Sequence, residues 1–224
     1  MPLERVLEPE VMDSPDEAQD YDQMDHHQVN EQFVSDLLHF TVDQKVPLSN
    51  VLDVGTGTAQ IPIQLCKTHP DCKVTAVDMA GHMLQLAESN VNKFGFSDRI
   101  ALSKVDAKGT GYADGEFVCV MSNSIVHHIH EPSKCIAEIV RVTKPGGVIF
   151  VRDLMRPDSD QMVLQLVQMY AGDENEHSRQ MFDDSLRAAL TLDEIQGLVS
   201  KFGFLADTVV ATSDRHWTWA AVKS

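Results

Sequence analysis

Residues 50–63, NVLDVGTGTAQIPI, constrain this chain more than any other stretch. Val51–Val54 is a short apolar run with the character of a buried strand. It leads straight into Gly55-Thr56-Gly57, and Ile61, Leu65 and Cys66 then fall at helical spacing through Thr58–Thr68. Without a Cβ, Gly55 and Gly57 let the chain turn sharply and lie against a ligand, and the helix start offers free N–H groups to a negative group. A dinucleotide fingerprint needs a third glycine where this chain has Gln60, and no Gly-Lys-Ser/Thr ends the loop, so neither standard phosphate-binding pattern is met. A NAD-dependent dehydrogenase is disfavoured further because Tyr21, Tyr112 and Tyr170 are followed four residues on by Asp25, Glu116 and Glu174, never by lysine.

Downstream, strands and helices alternate. Lys73–Val77, Ile100–Val105, Phe117–Ser122 and Val148–Val151 read as strands. Gly81–Phe94, stopped at Gly95, and Pro132–Val142, ended by Lys144-Pro145-Gly146-Gly147, read as helices. This alternation predicts an α/β fold, a doubly wound, mostly parallel sheet with helices on both faces. Asp158–Tyr170 and Ser178–Leu190 are expected to add two helices, and Thr191–Glu194 is a capping box opening another to about Phe202. Two apolar runs around Ser213-Asp214 predict a closing antiparallel hairpin. The expected organisation is an acidic helical arm or lid over residues 1–45 and one domain over 46–224, with a helical insertion at about 157–190.

Asp78 closes the second strand and Asp106 follows the third, both at the carboxyl edge where ligands lie in such sheets; a carboxylate at Asp78 can accept from both hydroxyls of a ribose. Taken in order, VLDVGTGTAQ, VTAVDMAGHML, KVDA, FVCVMSNSIVHHIHEP and VTKPGGVIFVRDL resemble the successive motifs of class I S-adenosylmethionine-dependent methyltransferases, over roughly Val51 to Asp153. The resemblance implies a seven-stranded sheet of order 3-2-1-4-5-7-6 and S-adenosylmethionine as cofactor. It places Gly55, Thr56 and Gly57 at the methionine moiety, with Asp53 orienting the loop. Asp78 would hold the ribose, Met79 would lie against the adenine, Asp106 and the Ala107 backbone would meet its edge, and Ser122 and Asn123 would line the methionine end. EAQDYDQMDHH is similar to a helix that closes over the cofactor in relatives, which brings in Tyr21.

Methyl transfer from a sulfonium is an in-line displacement, so the protein chiefly aligns the acceptor and excludes water; a base is needed only for a protonated nucleophile. SNSIVHHIH begins where the fourth strand ends, and its position matches the Glu-His pair of cyclopropane-forming relatives. His128, then His127, are therefore the candidate proton acceptors, although His-His replaces the acid. No metal is expected, because adjacent histidines on a helix point to different faces. Candidate substrate-binding residues are His26, Tyr170 and Arg179, with Asp25, His27, Asp173, Glu174, His177 and Phe182 nearby; Arg152, Asp153 and Arg156 follow the fifth strand at the same edge.

The net charge of −16, without a basic cluster, disfavours nucleic acid as partner and leaves a small-molecule acceptor as the leading reading. A protein or RNA substrate, or a cofactor-binding relative without turnover, remains the alternative, and the oligomeric state is open. Neither a signal pattern nor an apolar run of membrane-spanning length is evident. Cys66, Cys72, Cys119 and Cys135 lack Cys-x-x-Cys spacing and read as reduced thiols of a cytoplasmic protein.

Overall fold

The structure, a computed structural model, describes residues 3–11, 13–24 and 26–224. Seven strands, β1 (Val51–Val54), β2 (Val74–Asp78), β3 (Ile100–Lys104), β4 (Phe117–Asn123), β5 (Thr143–Leu154), β6 (Val209–Ala211) and β7 (His216–Val222), form one sheet of order β3-β2-β1-β4-β5-β7-β6. β1 to β5 are parallel, while β7 is antiparallel to both β5 and β6. The expected order and the antiparallel hairpin are both present. The winding reverses between β1 and β4, which opens a crevice at the carboxyl ends of these strands.

All four residues of β1 are buried, as a central parallel strand covered on both faces requires. β4 supplies both faces, its alternation interrupted by an irregularity between Phe117 and Cys119. Phe117 and Val120 join Leu52, Ile136, Ile139, Trp217 and Trp219 on one side. Cys119 and Met121 join Val51, Phe33, Leu37, Leu65 and Phe150 on the other. The first layer carries α5 (Pro132–Val142) and α8 (Leu192–Ser200), the second α2 (His27–Asp43), α3 (Gln60–Thr68) and α4 (Gly81–Phe94). Arg152 of β5 ties α2 to the sheet through Asp36, at 2.6 Å.

Boundary differences have local causes. α3 starts at Gln60 rather than Thr58, because Gly57 (φ 54°) and Ala59 (φ 61°) hold the preceding turn left-handed. β5 starts at Thr143, so Lys144-Pro145-Gly146-Gly147 is absorbed into the strand. An irregularity between Phe117 and Cys119 takes up the register, and Gly146 donates to the Lys223 carbonyl. After α6 (Asp160–Ala171), α7 (Glu176–Ala188) begins two residues early, because Asn175 caps it through the Ser178 N–H. The Thr191–Glu194 capping box is formed, and α8 ends at Ser200.

At the N-terminus, Ser14 and Glu17 cap α1 (Pro15–Gln23) reciprocally. Residues 3–11, before it, run without helix or strand as a strap. Arg5 donates to the carbonyls of Ala188, His127 and Ile129, and the Val6 N–H donates to that of Arg187. α1 rests on α4 by Ala18 and Tyr21, which pack with Ala80, Met83 and Leu86. All four cysteines are buried and free, with Cys66 and Cys72 sulfurs 3.4 Å apart. Among the described residues no helix is long and apolar enough to cross a membrane.

Candidate active site

The crevice at the β1/β4 switch is lined from each strand end in turn: Gly55 and Gly57 after β1, Asp78, Met79 and Ala80 at β2, Val105, Asp106, Ala107 and Lys108 after β3, and Asn123, Ser124, Ile125, His128 and Ile129 from β4 onward. Glu10 and Val11 of the strap, Tyr21 of α1 and Met83 of α4 complete its wall. A second, smaller hollow beside the glycine loop is lined by Asp53, Thr56, Thr58, Asn30, Gln60 and Ile61, and Tyr21, Gly55 and Asn123 border both.

The glycines are needed where they stand. A Cβ on Gly55 (φ 75°) would lie 2.0 Å from Ile125 Cγ2, while one on Gly57 (φ 54°) would meet the Tyr21 ring at 3.4 Å. Asp78 braces the turn, accepting from the Gly57 N–H at 2.8 Å and the Ala80 N–H at 2.9 Å through different oxygens. Each oxygen keeps a second lone pair. Burial raises the Asp78 carboxyl pKa, although its backbone partners oppose this. Burial pushes the Asp53 carboxyl up to about 7, with the Asp78 charge adding to the rise. Burial, then the Asp78 and Asp53 charges, push the Tyr21 phenol up to about 12, so it stays a neutral donor. Asp106 accepts from the Lys108 N–H at 2.8 Å, and the Lys108 ammonium bridges Asp106 and Glu10 at 3.2 and 3.0 Å. Two shielded oxygens near the loop, Thr58 Oγ1 and Asn123 Oδ1, have no hydrogen-bond partner, while the Thr56 hydroxyl faces the Asp53 carboxyl and favours its charged form. Orphaned polar atoms beside a hollow are what a polar ligand satisfies.

The sequence-derived candidates divide clearly. Asp53, Gly55, Thr56, Gly57, Asp78, Met79, Asp106, Ala107, Asn123 and Tyr21 all line the crevice or its side hollow. Ser122 does not: it is fully buried and its hydroxyl donates to the Val54 carbonyl at 2.7 Å, joining β4 to β1. Of the expected substrate residues, His26 lies against Tyr21, ring centroids 4.7 Å apart, outside the crevice lining. The Tyr170 hydroxyl donates to Asp214 at 2.6 Å and its ring sits under Arg215, so it serves the closing hairpin. Arg179 is exposed on α7, as are Asp173 and Glu174 in the preceding loop, while His177 pairs with Asp20 of α1 at 2.9 Å. Phe182 packs between α6 and α7, and Asp25 lies outside the described residues.

The histidine pair departs from the helical geometry assumed for it. Val126–His128 is a turn, and the two rings stack with centroids 4.1 Å apart. His127 is 4 % exposed, with Nδ1 2.5 Å from Asp153 Oδ1; His128 lines the crevice. Burial opposes a charge on His127, yet the Asp153 carboxylate raises its pKa overall; burial and then the His127 charge lower that of His128. The acid missing from the His-His sequence comes from the strap. Glu8 Oε1 lies 3.0 Å from His128 Nδ1 and 3.7 Å from His127 Nε2. Glu8, Glu10 and Lys108 are the site residues that sequence reasoning missed. The one signal was the i, i+2 spacing of Glu8 and Glu10, which in an extended chain puts both on one side.

The sheet order, the glycine turn and the acids at successive strand ends define a doubly wound protein that binds a nucleoside-containing cofactor at its switch point. Residues 45–206 match the family described as Methyltransferase domain, and the chain belongs to that family, whose cofactor is S-adenosylmethionine. Over 137 residues it is 23% identical to a ubiquinone/menaquinone biosynthesis C-methyltransferase of Geotalea daltonii, covering 56% of this chain and 58% of the relative. Over 110 residues it is 30% identical to a demethylmenaquinone methyltransferase of Porphyromonas gingivalis, covering 49% and 45%. The chain thus spans about half the length of these curated relatives. A SAM-dependent methyltransferase structure from Aquifex aeolicus aligns with TM-score 0.66 at 20% identity, covering 93% of this chain and 97% of that one. A putative S-adenosyl-L-methionine-dependent methyltransferase from Methanococcus maripaludis aligns with TM-score 0.70 at 16% identity, covering 98% and 97%.

Proposed function

We propose that this chain transfers the methyl group of S-adenosylmethionine to a small-molecule acceptor. The observation that carries the reading is the convergence of Gly55, Gly57, Asp78, Asp106 and Asn123 on one crevice, where the shielded Asn123 Oδ1 lacks a partner. The residues fit the cofactor. Gly55 and Gly57 leave room for the methionine chain, and Thr56, Thr58 and Asn123 supply polar atoms for its ammonium and carboxylate. The spare lone pairs of Asp78 suit ribose hydroxyls, Met79 offers a flat apolar contact to adenine, and Asp106 with the Ala107 backbone suits its edge. The bound cofactor supplies an electrophilic methyl group on a sulfonium.

The protein's own part is alignment and exclusion of water. Tyr21 and the strap residues Glu10 and Val11 form part of the crevice wall, which supports α1 and the strap as its lid. Asn123, Ser124 and His128 border the end where the acceptor would enter. Of the two histidines proposed from sequence, His128 lines the crevice and His127 is buried behind it, which supports His128 as the one to meet an acceptor. A walled crevice on a molecule of net charge −16 supports a small acceptor over RNA. C-methylation of a quinone precursor, the role in the names of the matched curated relatives, is one such chemistry, and half-length alignments do not extend it to this chain.

The test is incubation with methyl-labelled S-adenosylmethionine and a cell extract divided into low-mass and macromolecular fractions, followed by mass spectrometry. A labelled product in the low-mass fraction is expected. Label confined to protein or RNA would replace the small-molecule reading, and cofactor binding with no labelled product in either fraction would make the chain a non-catalytic relative.

A further inference from the structure

Beside the crevice, three groups of metal-ligating character converge from distant parts of the chain. Glu8 comes from the strap, and His127 and His128 from the turn after β4; one ligand atom from each lies within 4.8 Å of the others. Glu8 Oε1 is 3.0 Å from His128 Nδ1 and 3.7 Å from His127 Nε2. Ligands held about 2.0–2.2 Å from a tetrahedral ion stand roughly 3.3–3.6 Å apart, and the two observed separations bracket that span.

Two further observations point to a ligand. Glu8 Oε1 and His128 Nδ1 are both sealed from solvent and face each other as an ion pair at 3.0 Å, and apart from His127 Nε2 neither atom has another polar partner. A proton shared in so buried a pair serves those two atoms alone, whereas a cation would also engage His127 Nε2. Moreover, the remaining nitrogen of His127 is already fixed. Its Nδ1 is 2.5 Å from Asp153 Oδ1, and Asp153 is held in turn by the N–H groups of Val126, at 2.5 Å, and Leu154, at 2.6 Å. A carboxylate holding one nitrogen while the other faces the ion is the arrangement that orients ligating histidines. Glu8 and Asp153 supply two negative charges against Arg5, whose guanidinium bonds the His127 and Ile129 carbonyls, so a dication is accommodated.

We propose that Glu8 Oε1, His127 Nε2 and His128 Nδ1 bind one divalent ion of the zinc class, with water in the fourth position. Two imidazoles and one carboxylate suit zinc or cobalt better than magnesium or calcium, which prefer all-oxygen sets. The ion clips the strap to the β4 turn at the crevice wall. Ligation through Nδ1 leaves His128 Nε2 as an N–H donor, which replaces the proton-acceptor role expected from sequence with one of orientation. The site stands independently of the acceptor's identity.

The test starts from full-length protein stripped by a chelator, titrated with Co²⁺ and watched for visible d–d absorption, with elemental analysis of the zinc form. One equivalent per chain is expected, with affinity weakened at least about tenfold in Glu8→Gln and His128→Asn, and about 10–100-fold in Asp153→Asn. The exposed His39→Asn should bind as wild type. Zinc should also slow hydrogen exchange of residues 3–11 in the wild-type protein, a reading that needs no variant. Absence of stoichiometric Co²⁺ or zinc binding, or binding unchanged in Glu8→Gln and His128→Asn, would overturn the site and leave the cluster as an ion pair bridged by a proton.

Discussion

At Gly55 the backbone adopts φ 75° while the Ile125 side chain passes so close that any Cβ would overlap it at 2.0 Å. Both conditions oppose a larger residue, because the left-handed region costs a side chain energy and Ile125 is wedged against the core. Gly55→Ala should therefore lower stability by about 2–4 kcal/mol and move the loop out of cofactor-binding geometry. Denaturant unfolding checks this, and an unchanged midpoint would show that the turn relaxes freely. Residues of this kind were legible in sequence because their roles follow from position along one strand–turn–helix unit. Asp78 and Asp106 likewise end strands whose apolar runs are plain to see. Ser122 was misplaced because neighbours in a strand face opposite ways, and the motif does not say which residue turns inward. Glu8 and Lys108 were invisible for another reason: their partners lie about a hundred residues away, and an acidic run looks like a solvated arm until its contacts are known.

Among the elements, α5 is bound to the loop after β3 by one carboxylate. Glu138, 7 % exposed, accepts from the Thr110 N–H at 2.6 Å and pairs with Arg141 at 2.7 Å. Arg141, helped by the Thr110 bonds, holds its pKa down at about 2 against the ordinary 4.5. The folded value lies below the unfolded one, so this stabilisation is complete above pH 4.5 and is lost as pH falls through about 2. Glu138→Gln should cost about 1–2 kcal/mol at neutral pH, discounted for the partly exposed arginine, and the gap from wild type should close on acidification toward pH 2. Urea midpoints across that range decide it, and a gap independent of pH would contradict the ion-pair account. α1 poses the complementary question. It contributes one buried residue, Ala18, and holds to α4 by small contacts and the Asp22–Asn90 hydrogen bond at 2.9 Å. A segment so lightly held opens at low free-energy cost unless a ligand braces Tyr21. Hydrogen exchange across residues 15–23 should slow when S-adenosylhomocysteine is added, and equal exchange in both states would remove α1 from the closure of the site. Helix and strand identities were legible from periodicity. The boundaries of α3 and β5 were not, because left-handed residues before Gln60 and a register shift beside Phe117 are tertiary decisions.

For the whole molecule, the sheet order sets the chemistry. Reversal of winding between β1 and β4 places the ends of four parallel strands around one crevice, and the antiparallel β7 closes the far side without entering it. Strap and α1 complete the wall of that crevice; the sequence pointed to α1 through its likeness to a cofactor-closing helix and showed the strap only as clustered acid. The proposed methyl transfer depends on the crevice holding S-adenosylmethionine through Asp78. Calorimetric titration of S-adenosylhomocysteine into wild-type protein and Asp78→Ala tests that dependence most directly. Two charge-assisted hydrogen bonds and the brace on Gly57 are lost together, so the account predicts one-to-one binding by the wild type, at least about tenfold weaker binding by the variant, and no heat from NAD with either. Equal affinity of the two proteins for S-adenosylhomocysteine would contradict it.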